Sequence, residues 1–169
     1  MPGFKERLDK KKQEFTLSQE SAHDKVMNAL KSLPEWSDFQ AACNSSELSE
    51  ALAELKKYGP VYKLQTWSNQ FWPELTQTYI VRLDNQMMIS FYIRIGDKKT
   101  KEKLTFAYHS SYDHFGSKNG LLASTFDDLL EFIAEKIACG FPVKVDSQDY
   151  AEIRHRKSID ELLSSWPRV

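Results

Sequence analysis

Glycine and proline are scarce in this chain, six of each in 169 residues, and no pair of glycines has the spacing of a phosphate-binding loop. Gly3, Gly59, Gly96, Gly116, Gly120 and Gly140 make neither G-x-G-x-x-G nor a P-loop, which argues against a doubly wound nucleotide fold. Cysteine is equally sparse. Cys43 and Cys139 stand far apart, with no further thiol or histidine at zinc-finger spacing, so a disulfide-rich scaffold and a zinc module are excluded. Each sits among apolar, helix-like neighbours and reads as a reduced packing residue.

An excess of one charge is missing too. Twenty-three basic residues against 24 acidic ones leave a net charge of -1, so no generic attraction to nucleic acid or anionic membrane is built into the balance. No apolar run approaches the ~20 residues of a membrane span. Lys5-Glu6-Arg7 is followed by no signal-peptide core, and a cytoplasmic location is the expectation. Internal repeats and low-complexity segments are absent. With 41% hydrophobic, 12% aromatic and 28% charged residues, the chain has the composition of one globular domain spanning residues 1–169.

The most informative stretch is residues 79–108, where apolar side chains recur every second position, the spacing that returns them to one face of a pleated strand. Tyr79, Val81 and Leu83 form one set, Met87, Ile89, Phe91, Ile93 and Ile95 a second, and Leu104, Phe106 and Tyr108 a third. The alternate positions, among them Thr78, Ile80, Arg82, Ser90, Tyr92, Arg94, Thr105 and His109, are mixed. Such a pattern predicts a meander with one core face and one partly wet face. Placing Leu83 opposite Met87 leaves Asp84-Asn85-Gln86 as the loop, and a one-residue slip would turn Met87 outward. Residues 96–102, with Lys98, Lys99 and Lys101, read as a solvated tip.

Helical spacing dominates on both sides. Phe4, Leu8 and Phe15 make a thin apolar stripe on a basic helix, a peripheral arm over residues 1–16. Ser18 offers a cap for a helix bearing Ala22, Val26, Ala29, Leu30 and Leu33. Pro34 suits the first turn of a short helix, Asn44 with Glu47 resembles a capping pair for the next, and Gly59-Pro60 ends that helix. Residues 61–67 predict a first strand, whose Lys63 and Gln65 suggest an edge. Thr125 and Asp128 cap a helix carrying Phe126, Leu129, Leu130, Ile133 and Ile137, expected to lie across the apolar sheet face. Val143 and Val145 suggest a short strand, and Ser158 with Glu161 a last helix. The fold class is therefore α+β: N-terminal helices, a central antiparallel meander sheet of three to five strands, and C-terminal helices packed on one sheet face.

Reactive side chains are densest in residues 109–120. His109, Asp113 and His114 can supply proton transfer near neutral pH or metal ligands, which makes a metal-dependent or acid-base hydrolase the alternative reading. The same composition also describes a solvated connection. Ser110 and Ser111 lack the glycines of a nucleophile elbow, and Lys101-Glu102-Lys103 lacks the order of a nuclease motif. No cofactor is implied, and no metal site is assigned.

Trp67-Ser68-Asn69-Gln70-Phe71-Trp72-Pro73 is a non-periodic aromatic connection, costly to leave in water. Together with Arg82, Tyr92 and Arg94 on the mixed sheet face, Trp67, Phe71 and Trp72 have the residue types enriched at binding surfaces. The favoured expectation is a small cytosolic, non-catalytic module that binds another protein in the manner of immunity proteins, inhibitors, antitoxins or chaperones. A homodimer is compatible with it. Nucleic-acid binding through Lys10-Lys11-Lys12, residues 98–103 and Arg154-His155-Arg156-Lys157 is a second alternative.

Overall fold

The structure is a computed structural model that describes residues 1–83, 88–111, 121–139, 161 and 163–169. Three helices come first: α1 (Phe4–Lys31), α2 (Trp36–Cys43) and α3 (Ser46–Leu55). Five strands follow, β1 (Val61–Ser68), β2 (Glu74–Arg82), β3 (Met88–Gly96), β4 (Leu104–Ser111) and β5 (Leu121–Ala123), and then α4 (Phe126–Cys139). The strands pair antiparallel in chain order, β1-β2-β3-β4-β5, the meander expected from the alternation.

Period two accounts for the sheet and its core. Leu75, Tyr79 and Val81 of β2 face Ile95, Phe91 and Ile89 of β3, and Ile93 and Phe91 face Phe106 and Tyr108 of β4. All are buried, and Tyr79 stacks on Phe91 with ring centroids 5.0 Å apart. Val26 and Leu30 of α1, Phe39 of α2, Leu48, Leu52 and Leu55 of α3, and Leu129 and Ile133 of α4 complete the same cluster. Burying a side chain of this size contributes about 1.5–3 kcal/mol, so the shared face is the main source of stability.

The last described pair of this hairpin is Arg82 with Met88, and the expected pairing of Leu83 with Met87 lies outside the described residues. Residues 84–87 themselves lie outside the described residues, as do the predicted strand at Val143 and Val145, the Ser158 cap and the Arg154 to Lys157 cluster.

Three local expectations are corrected. Ser18 caps nothing, because α1 runs unbroken from Phe4 to Lys31. The arm and the packed helix are one element, and every residue through Ser21 is exposed. Helix α3 is capped by Ser45 rather than Asn44: the Ser45 hydroxyl accepts from the Leu48 amide at 3.4 Å, the reach of an N-cap to N3. Finally, β4 runs past His109, which pairs with Ser90, through Ser110 and Ser111, into the segment read as a connection. At α4 the expected cap is present, the Asp128 amide donating to the Thr125 hydroxyl at 3.1 Å.

Among the described residues, the second sheet face is covered at one end. Leu163 is buried against Tyr62 and Ile80, with Trp166 packed beside them. Residues 167–169 run along the open edge of β1: the Lys63 amide donates to the Pro167 carbonyl at 2.9 Å and the Val169 amide to the Val61 carbonyl at 3.0 Å. An edge that would otherwise expose unpaired backbone groups is thus partly closed by the chain itself.

Candidate partner-binding surface

Alternation splits the six aromatic and basic candidates. Trp67 pairs with Leu75 and lies on the core face, where it packs against the main cluster and meets His23 of α1 edge-on at 5.5 Å. Arg82, Tyr92 and Arg94 are on the opposite face. Arg82 lies six residues along β2 from Thr76, the partner of Arg94, a separation of about 20 Å at ~3.3 Å per residue. Trp67 and Arg82 therefore do not join the other four.

Trp72, Tyr92 and Arg94 do come together, around an acid the sequence reading did not single out. The Trp72 indole donates to Glu74 Oε2 at 2.9 Å, and the Arg94 guanidinium lies 3.4 Å from Glu74 Oε1. The same Arg94 Nε donates to the Thr76 hydroxyl at 3.0 Å and its guanidinium lies over the Tyr92 ring at 4.5 Å. Glu74 pairs with Gly96, so strand register places its carboxylate between the turn indole and the β3 guanidinium. Only that register could have revealed it.

Two connections meet at this end of the sheet. The Asp97 amide donates to the Pro73 carbonyl at 2.9 Å, which ties residues 68–73 to residues 97–103. Lys98 sits over the Trp72 ring at 5.6 Å, and Lys103 pairs with Asp97 at 3.3 Å. Gly96 permits this closeness without adjustment, since a β-carbon there would lie 3.2 Å from the Trp72 indole nitrogen and the ring would have to give by a few tenths of an ångström. Beside the fixed Trp72, Phe71 stands out of the fold with 78% of its surface exposed, its ring 5.9 Å from the indole. Lys99 and Lys101 are exposed on the neighbouring tip.

Glu74 pairs with Arg94 and Asp97 with Lys103, and the described residues of this sheet end include no thiol or histidine beside a base. Among the described residues, no group of three or more His, Cys, Asp or Glu is placed to hold a metal. Asp113 and His114 lie outside the described residues, and of His109 only the strand position is described. No described helix is long and apolar enough to cross a membrane. No protein-family model matches this chain, and no curated protein and no solved structure is significantly similar to it.

Proposed function

We propose that this chain is a non-catalytic protein-binding module that engages an acidic surface of another protein through the sheet end formed by Phe71, Trp72, Lys98, Lys99 and Lys101. The observation that carries the reading is Phe71, an aromatic ring left in water on a connection whose neighbour, Trp72, is held by Glu74 and Lys98. An exposed ring on a pre-ordered support loses little freedom on binding, which is the property of an interface anchor. Lysines around it supply complementarity to carboxylates and steer the encounter. The functional type that fits is the immunity protein, inhibitor, antitoxin or chaperone.

The test is affinity capture from the native host with wild type, Phe71→Ala and a Lys99→Glu, Lys101→Glu double variant, followed by titration of the recovered protein. One acidic partner bound by wild type, at least tenfold weaker with Phe71→Ala and weaker still at high salt with wild type, supports the reading. Equal binding by all three chains would overturn it. Capture of single-stranded nucleic acid, lost on raising salt and on removing the Phe71 ring, would replace it with the nucleic-acid reading.

A further inference from the structure

Residues 4–21 of α1 are exposed on every side, a projection of about 27 Å at 1.5 Å per residue. They are not a uniformly solvated helix. At ~100° per residue, Phe4, Leu8, Phe15, Ala22 and Val26 fall within roughly 40° of one another. Val26 is buried in the core, whereas Phe4 and Phe15 are 79% and 65% exposed. The stripe that docks the helix on the sheet continues beyond it, with nothing seated across from it among the described residues. Lys11 interrupts the stripe, and Leu17 lies on the far side.

Charge is divided along the arm. Residues 4–12 contain Lys5, Arg7, Lys10, Lys11 and Lys12 against Glu6 and Asp9, whereas residues 13–24 contain Glu14, Glu20 and Asp24 and no lysine or arginine. Five minus two gives a net +3 for the first segment, and the second is -3. That order opposes the helix dipole, which favours acids at the N-terminal end, and Gly3 provides no side-chain cap there. Within one helix that order brings the two segments together at their junction, where exposed Lys11 and Glu14 pair at 3.0 Å. Two such helices laid antiparallel gain from it twice, because each basic segment then faces the acidic segment of the other while the apolar stripes meet and the dipoles oppose.

We propose that the exposed part of α1 is a dimerisation arm that seats antiparallel on the same arm of a second copy of this chain. Four phenylalanines, two from each copy, would remove about 600–1,000 Å² of surface between them. A specific interface needs about 1,000–1,200 Å². The dimer is therefore weak, concentration-dependent and loosened by salt. An anionic membrane is a poorer fit, since the acidic segment adjoins the basic one on the same short helix.

Sedimentation equilibrium of the full chain over about 1–500 µM, at low and high salt, tests this. The expected result is a monomer–dimer equilibrium that shifts toward monomer in salt and disappears in the L8D/F15D double variant, whose exposed positions leave the far-UV spectrum and urea midpoint close to wild type. K10E/K11E/K12E and E14K/E20K are each monomeric alone and associate when mixed. Wild type that stays monomeric at every concentration overturns the proposal. So does a dimer that survives L8D/F15D, a mixture of folded charge variants that fails to associate, or a monomer that binds anionic vesicles through the arm. Because the arm residues are separate from Phe71 and the lysine tip, loss of partner binding with dimerisation intact counts against the contact surface alone.

Discussion

Trp72 and Glu74 are two residues apart, yet the indole N–H of the first donates to the carboxylate of the second at 2.9 Å across a turn that contains Pro73. The same carboxylate receives Arg94 from the neighbouring strand, so one acid links the β1–β2 connection to β3.

Glu74→Ala leaves a part-buried indole donor and guanidinium without that acceptor. Hydrogen bonds to charged groups contribute about 1.5–3 kcal/mol, and a loss in that range is expected in urea unfolding. Trp72→Phe, which removes the indole donor together with part of the ring system, leaves the Arg94 contact in place and should cost less. Equal losses for the two variants would show that Glu74 acts through Trp72 alone.

Gly59 is where the end of α3 passes the end of β2. A β-carbon at this position would lie 1.8 Å from the Arg82 carbonyl oxygen, in backbone that is also held by the Arg82 amide donating to the Pro60 carbonyl at 3.0 Å. Gly59→Ala must push two backbones apart, and overpacking of this kind costs about 1–3 kcal/mol or more. A urea midpoint equal to wild type would contradict the close approach.

Alkaline stability follows from buried groups that ionise only with difficulty. Burial pushes the Cys43 thiol up to about 11 from an ordinary value of 9.0, and the Tyr79 phenol up to about 12 despite the amide of Gln77 donating to it. Tyr108 is raised as well, also by burial. In each case the folded state holds the proton more tightly than the unfolded chain, so the contribution is complete below about pH 9 and is lost as pH rises toward 11 and 12. The urea midpoint should be level from neutral pH to about 8.5 and fall above it, with Cys43→Ala delaying the onset. A midpoint that climbs through this range would show the opposite sign.

The two thiols should also differ in reactivity. Cys139 is exposed at the end of α4, whereas Cys43 is half-buried at the end of α2 with its thiol held in the protonated form. Thiolate is the species that alkylates. At about pH 8, iodoacetamide is expected to modify Cys139 well before Cys43, with both modified in urea; mass spectrometry after brief exposure reads the order.

Tyr79 to Tyr108 and Phe126 to Ile137 carry periodicities strong enough to be read without coordinates, because a strand or helix with one buried face repeats its apolar positions at that element's own period. The expected strand order and the α4 cap both follow from such local patterns. Cap assignment at Asn44 and the break placed at Ser18 went astray where a polar residue of the right type sits beside the working one or inside a continuing helix.

By itself, then, the chain of residues determined its α+β class, its meander and which side of the sheet is buried, since those depend on the period of neighbours a few positions apart. Only the tertiary structure decided that Trp67 turns to the core while Trp72, Tyr92 and Arg94 gather around Glu74, and that the stripe from Phe4 to Phe15 is left uncovered. Those outcomes depend on pairings between residues far apart in sequence, such as Glu74 with Gly96 and Thr76 with Arg94, where a shift of one position exchanges the two faces of a strand.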